Sequence, residues 1–325
     1  MSLLRIVAAL TFLMVGAAAA MADAFPVTFT HKFGTTTINA QPVRVVSLSY
    51  AGGDNVLALG VKPVALRYWY GDYPYGVWPW AQAALGDAKP ESLKGDLNIE
   101  QIAALKPDVI LAVSSGITRE QYDLLSQIAP TVAPEAEYGD YGTPWQVDVR
   151  TSGKALGKSA EAESLIAGVE SRLAAIRAAH PDWQGKSAAV ATYWNNAPGA
   201  YRSIDLRPRL LNGLGFVTPA AIDAAGPADA FYVTLSSEDL TPVDADILIW
   251  FDEDNTVSAL KLRPNMRAHK EGREIFPDSV LSGAFSFSSL LSINYVLDQM
   301  EPMIAAAIDG DPATIVHDVR NGASK

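Results

Sequence analysis

Two stretches of the chain, Leu97 to Ala112 and Leu235 to Trp250, carry one pattern twice. LNIEQIAALKPDVILA aligns without a gap on LSSEDLTPVDADILIW, which sets Leu97 against Leu235, Glu100 against Glu238, Ile102 against Leu240 and Asp108 against Asp246. Val109-Ile110-Leu111 falls on Ile247-Leu248-Ile249. Each copy reads as a short helix, a turn ending in Asp and a buried strand. A unit present once in each half constrains the chain to two similar α/β lobes. Two facing lobes enclose a cleft, the usual place for a small ligand.

With 325 residues the chain is long enough for two domains, and a hydrophobic share of 49% gives each a core. Residues 1–22 read as a secretory signal, with Arg5 as the charge, Ile6 to Ala20 as the apolar run and Ala20-Met21-Ala22 as the cleavage site. The alternative, a membrane anchor, needs roughly 20 apolar residues, and this run is shorter. Cysteine is absent, which excludes disulfides, thiolate metal sites, thiol nucleophiles and the lipidated cysteine of a bacterial lipoprotein. The expected location is the periplasm, without a lipid anchor. A formal charge of −11, or −12 once Arg5 is removed, argues against a nucleic-acid partner, which needs a basic face.

Val43 to Leu48 and Val61 to Leu66 read as strands, joined by a helix that Asp54 can cap and Gly60 ends. Ser187 to Tyr193 and Pro208 to Gly215 repeat the strand and helix. The pairs Leu59-Gly60 and Leu214-Gly215 stand 155 apart, whereas the repeated motif recurs after 138, so the first half holds 17 extra residues. Between these landmarks the first half carries Arg67 to Trp80, the most aromatic segment of the chain. Between the halves, the capping box and first-turn proline of Thr143-Pro144-Trp145-Gln146 open one long helix. Leu165, Ile166, Val169, Leu173 and Ile176 continue it at helical spacing until His180-Pro181. Such a helix would be on the order of 50 Å long. The expected layout is an N-terminal lobe over 23–143, a bridging helix over 144–180 and a C-terminal lobe over 181–325.

RVVSLSYAGGDNVLALGVKPVAL, LNIEQIAALKPDVILAVSSG, LLSQIAPTV, SSEDLTPVDADILIWF and GAFSFSSLLSINYVLDQMEPMIAAAIDGDPAT together resemble the periplasmic substrate-binding proteins of bacterial ABC importers for ferric siderophores, haem and cobalamin. The likeness covers nearly the whole mature chain. It implies an α/β fold of two similar lobes with mainly parallel sheets, bridged by one long α-helix, with the ligand cleft between them. It also implies a ferric siderophore as ligand rather than a resident cofactor, an ABC permease of the inner membrane as partner, and a monomer. Haem or cobalamin delivery by the same fold is the alternative within the class; a periplasmic sensor domain or an enzyme on the same lobes is the alternative outside it.

Glu100 and Glu238 each stand in a first helical turn, where a carboxylate offsets the helix dipole by roughly 0.3–1 kcal/mol. The resemblance gives them a second role, docking onto arginines of the permease. Prolines and glycines break any period in the aromatic segment, so it is a loop, and Trp69, Tyr70, Tyr75 and Trp78 are expected in the cleft wall. Trp80 and Trp145 are assigned to packing. On the opposite lobe Tyr193, Trp194 and Trp250 lie at strand ends, which face the crevice in α/β folds. Arg67, Arg202 and Arg209 are expected to pair with carboxylate or catecholate oxygens, which favours an anionic chelate. His31, His180, His269 and His317 are scattered without metal-ligand spacing, and no metal site is expected. No nucleophile elbow, P-loop or dinucleotide fingerprint is present; Asp108 and Asp246 read as turn residues, and no catalytic residue is assigned.

Overall fold

The structure, a computed structural model, describes residues 23–252 and 255–316. The signal reading on residues 1–22, and His317, lie outside the described residues. Short apolar runs broken by Gly and Pro become short buried strands, and the amphipathic stretches between them become helices. A hairpin of β1 (Val27–His31) and β2 (Gly34–Ile38) leads in. The first lobe then alternates β3 (Val45–Ser47), α1 (Gly52–Ala58), β4 (Ala65–Arg67), α2 (Pro79–Leu85), β5 (Glu91–Leu93), α3 (Ile99–Ala104), β6 (Val109–Leu111), α4 (Arg119–Leu125) and β7 (Thr131–Val132). Its sheet has the order β5-β4-β3-β6-β7 with every neighbour parallel.

After α5 (Trp145–Ala155) and α6 (Ser159–Ala179) the second lobe comprises β8 (Ala188–Trp194), β9 (Ala197–Tyr201), α7 (Leu206–Gly213), α8 (Ala220–Ala224), β10 (Tyr232–Thr234), β11 (Ile247–Phe251), α9 (Arg267–Lys270) and β12 (Glu274–Ile275). The chain closes with α10 (Ser279–Phe287) and α11 (Leu290–Ala307). The second sheet runs β10-β9-β8-β11-β12; β8, β11 and β12 are parallel, whereas β9 and β10 are antiparallel additions. The β8–β9 hairpin turns on Asn195-Asn196, both at positive φ, the mirror-image turn that matches strand twist.

The sequence repeat is a structural repeat. β6 lies beside β3 with Val109 opposite Val45, and β11 lies beside β8 with Ile247 opposite Ala188. Asp108 accepts the amides of Val43 and Arg44, each at 2.9 Å, and Asp246 accepts the amide and hydroxyl of Ser187, each at 2.9 Å. Both aspartates therefore pin the start of the neighbouring strand, as turn residues. The helix is present only in the first copy, as α3. In the second copy Asp239 accepts Thr241's amide (3.0 Å) and hydroxyl (2.6 Å), a local turn that replaces the expected helix and leads into a single 3₁₀ turn, Thr241–Val243.

The single 50 Å helix is corrected to two. Gly157 at φ +70 separates α5 from α6, which pack against each other, and the 21 residues of α6 span about 31 Å. α6 begins at the first lobe, where Gln41 donates to the Leu156 carbonyl at 3.1 Å, and ends at the second, where Arg177 donates to the Gly213 carbonyl. α11 runs beside it, tied by Arg172 to Asp298 and to the Asn294 carbonyl (3.1 Å) and by His180 to Glu301 (3.1 Å). One apolar core continues from Val45 and Val109 through Ile166, Val169 and Leu297 to Val190 and Ile249. Lobes joined by a shared core and two helices resist large hinge motion.

Asp148 on α5 is buried against α1. Burial pushes its carboxyl up to about 6, and hydrogen bonds from Ser152 and Asn55 offset only part of that shift. The native state thus holds a proton that the unfolded chain, at 3.8, releases, so this group makes stability fall as pH rises from 3.8 to about 6. Asp148→Asn should therefore remove roughly 1 kcal/mol of the stability decline between about pH 5 and pH 7.5. Urea unfolding at both pH values checks it; an unchanged decline contradicts the assignment.

Candidate functional site

The parallel strands of the first lobe end at one edge, and the loops leaving them gather there. β3 leads into Tyr50, and Arg67 ends β4 just before Trp69 and Tyr70. Arg67 is half-buried; its Nη2 lies 3.4 Å from the Tyr50 hydroxyl and its guanidinium 5.3 Å from the Tyr50 ring. Its Nε has no partner, and among the described residues no carboxylate lies within ion-pair distance of it. Trp69 (5.7 Å) and Tyr141 (6.2 Å) complete a ring of aromatic groups around Tyr50. Partial burial, then Tyr50 and Asp140, push the Tyr141 phenol up, while Arg67 opposes this.

The aromatic loop is one continuous stack. Trp69 meets Tyr70 edge-on at 4.8 Å, Tyr70 meets Trp78 at 5.1 Å, and Trp78 lies nearly parallel to Trp80 at 4.9 Å. Phe287, the last residue of α10, touches Trp69, Tyr70, Trp78 and Trp80 at 5.3 to 6.1 Å. One turn earlier, Gly283 leaves room for Trp78; a Cβ there would stand 2.5 Å from the indole. Trp78, expected in the cleft wall, is therefore an interior residue at 2% exposure, covered by Phe287 and α10. Trp69 remains 37% exposed and is the surface of the stack. Tyr75 stands apart from this stack, exposed, at φ 59. Gly283→Val should unseat Trp78 and destabilise the protein by about 1–3 kcal/mol, the range for overpacking. Thermal unfolding with near-UV circular dichroism checks this; an unchanged tryptophan signal contradicts it.

In the second lobe the site centres on Arg207, which the sequence reading passed over. Asp205 caps α7 by accepting the Arg207 amide at 2.9 Å, and Arg207 Nη1 donates back to both Asp205 oxygens at 3.0 and 3.1 Å. The guanidinium lies 4.0 Å from the Tyr201 ring and 5.9 Å from Phe251, and its Nε has no partner. Burial works against its charge, but Asp205, Tyr201 and the first lobe's Tyr70 outweigh it and hold the guanidinium pKa above normal. Burial likewise pushes the Tyr201 phenol up, with Arg207 opposing. A cation in a first helical turn opposes the helix dipole, and that mismatch was the sequence signal for Arg207.

Strand alternation corrects two other expectations, Trp250 and Tyr193, and local hydrogen bonds correct two more, Arg202 and Arg209. Along β11, Ile247, Ile249 and Phe251 share one face while Leu248 and Trp250 enter the outer-face core, so Phe251 rather than Trp250 approaches Arg207. Trp250 is 0% exposed and donates to Glu274 at 2.8 Å, which also takes Arg263 and His269. On β8, Tyr193 packs outward with Ala189 and Ala191, whereas Trp194 projects from the hairpin tip at 72% exposure. Arg202 is buried and donates to the carbonyls of Pro227, Ala230 and Asp223, so it staples a loop instead of facing a ligand. Arg209 donates to the Gly142 carbonyl at 2.8 Å and fixes the crossover before α5.

Glu100 and Glu238 are both exposed, each nine residues ahead of an equivalent strand start, Val109 or Ile247. Asn98 caps α3 two residues before Glu100, and the Glu238 amide donates to Ser236 at 3.1 Å. Among the described residues no three metal-binding side chains gather, and no helix is long and apolar enough to cross a membrane. His31 bonds Thr36 at 2.9 Å, and His180 and His269 pair with Glu301 and Glu274.

Residues 45–274 match the family described as periplasmic binding protein. The chain belongs to that family. The probable siderophore-binding lipoprotein YfiY of Bacillus subtilis is 28% identical over 84% of this chain and 86% of its own. A periplasmic solute binding protein from Mycobacterium smegmatis superposes with a TM-score of 0.77 at 34% identity, covering 87% of this chain and 99% of that one. PiaA of Streptococcus pneumoniae, solved in complex with ferrichrome, also reaches a TM-score of 0.77, at 30% identity over 87% and 99% of the two chains. This periplasmic binding protein is thus a substrate-binding protein rather than an enzyme.

Proposed function

We propose that this periplasmic binding protein captures an anionic ferric siderophore between Arg67 and Arg207 and delivers it to an ABC importer of the inner membrane. One observation carries the choice of an anion: in an acidic protein, Arg67 is a half-buried guanidinium without a carboxylate partner among the described residues, set among tyrosines and tryptophan. Such a group favours a ligand that brings its own charge, and guanidinium matches carboxylate and catecholate oxygens in bidentate fashion. Trp69 and Trp194 supply exposed flat surface for the chelator frame, and Tyr201 and Phe251 back the second arginine. Glu100 and Glu238, at equivalent points of the two lobes, are the docking pair for the permease. The protein acts as a monomer in the periplasm, a reading supported by a sequence without the cysteine that lipidation uses.

Tryptophan fluorescence tests the ligand class, because bound ferric iron quenches nearby indoles. Ferric citrate or ferric enterobactin should quench at micromolar concentration or below, and ferrichrome, haem and cobalamin only at much higher concentration. Quenching by haem or cobalamin alone would overturn the siderophore reading, and tighter binding of ferrichrome would overturn the anionic preference.

A further inference from the structure

Asp54 in α1 is expected from sequence to cap its helix, and it does not: α1 has no side-chain cap. Its carboxylate is buried, and its Oδ2 accepts two hydrogen bonds from distant parts of the chain. One comes from the Trp80 indole at 2.7 Å, the other from the Ser289 hydroxyl at 2.7 Å. Trp80 is the inner end of the stack that runs through Trp78 and Tyr70 to the exposed Trp69, and Trp78 is itself tied to the Tyr70 carbonyl at 3.2 Å. Ser289 caps α11 and is joined to Phe287 through Ser288, a left-handed corner at φ 43. Phe287 touches the same four rings. The two arms leaving Asp54 thus meet again on the aromatic stack. Beside it, Asn55 accepts the Leu290 amide at 3.1 Å, a second tie between α1 and α11 that does not involve the rings.

We propose that Asp54 is a positioning residue for the ligand wall: it fastens the aromatic loop through Trp80 and the Phe287 corner through Ser289, and so sets where Trp69 stands in the cleft. The role in binding rests on the siderophore reading; the mechanical link does not. An asparagine at position 54 keeps an oxygen able to accept both bonds, whereas alanine releases both arms while Asn55 still holds α1 to α11.

The test uses the ligand-free protein. Indole ¹H–¹⁵N resonances of Trp69, Trp78 and Trp80, assigned with single tryptophan-to-phenylalanine variants, are compared in wild type, Asp54→Ala, Asp54→Asn and Ser289→Ala. Asp54→Ala and Ser289→Ala should shift the signals of Trp69 and Trp78, neither of which bonds Asp54, and Asp54→Asn should bring them back toward wild type. If Asp54→Ala fails to fold, Ser289→Ala carries the same expectation alone. Unmoved Trp69 and Trp78 signals, or shifts as large in the asparagine variant as in alanine, overturn the proposal. Where ferric citrate or ferric enterobactin quenches the wild type, Asp54→Ala should weaken that binding at least tenfold and Asp54→Asn less than threefold; equal losses overturn the positioning role. If neither chelate binds the wild type, the siderophore reading fails while the resonances still decide the link.

Discussion

Arg67→Ala combined with Arg207→Gln should weaken binding of an anionic ferric chelate by about 1000-fold or more. Removing one member of a buried charge-assisted pair costs about 2–5 kcal/mol, so the lower limit is roughly thirty-fold for each arginine. The two sit in different lobes, so their effects should add to a first approximation. Glutamine at position 207 retains a donor for Asp205, which keeps the α7 cap occupied. Equilibrium titration of ferric enterobactin or ferric citrate against wild type, both single variants and the double variant checks this. Ferrichrome, which lacks the negative charge, should lose less than about tenfold. Losses of similar size for charged and neutral chelates would mean that the arginines shape the cleft without reading charge.

Glu100→Gln with Glu238→Gln should abolish delivery while leaving ligand binding intact. Both side chains are exposed and face no cation within ion-pair distance among the described residues, so their removal should change folding stability by no more than about 0.5 kcal/mol. A docking pair divided between two lobes also predicts an intermediate phenotype for each single variant. Uptake of radioactive iron by cells or by proteoliposomes containing the cognate importer gives the readout, with the chelate Kd measured in parallel. Uptake at the wild-type rate places the docking surface elsewhere. A Kd shifted more than about threefold would show that the glutamates act on the ligand instead.

The two-lobed plan was legible because the repeat preserves what a strand needs: an aspartate that pins the neighbouring strand, followed by three buried aliphatic residues. Less of the second copy survived, since a proline and an Asp-centred turn stand where the helix would be. The long apolar period across 144–180 was also real, yet one left-handed glycine divides it, and the sequence pattern does not register a change of direction at Gly157. Sequence placed the aromatic loop but not its inside and outside. That division depends on Gly283 and Phe287, some two hundred residues away, which bury Trp78 and leave Trp69 at the surface.

The arginines show the same limit from another direction. Arg202, Arg207 and Arg209 lie within eight residues, and only the fold separates a loop staple, a cation held between Asp205 and Tyr201, and a crossover tie. Period-two alternation along the strands separates Phe251 from Trp250 and Trp194 from Tyr193, a division of faces that position at a strand end does not carry. Asp54 was hidden for a similar reason. A carboxylate at a helix start is usually a cap, and nothing local reveals that its two donors come from Trp80 and from Ser289, 235 residues further on.

On the proposed function, each chain of this periplasmic binding protein carries one ferric siderophore. The most direct measurement is iron stoichiometry after gel filtration of protein mixed with excess ferric enterobactin or ferric citrate. One iron should co-elute per chain with at least one of the two chelates, and the Arg67→Ala, Arg207→Gln double variant should elute without iron. A wild-type peak free of iron with both chelates would contradict carriage of a ferric siderophore.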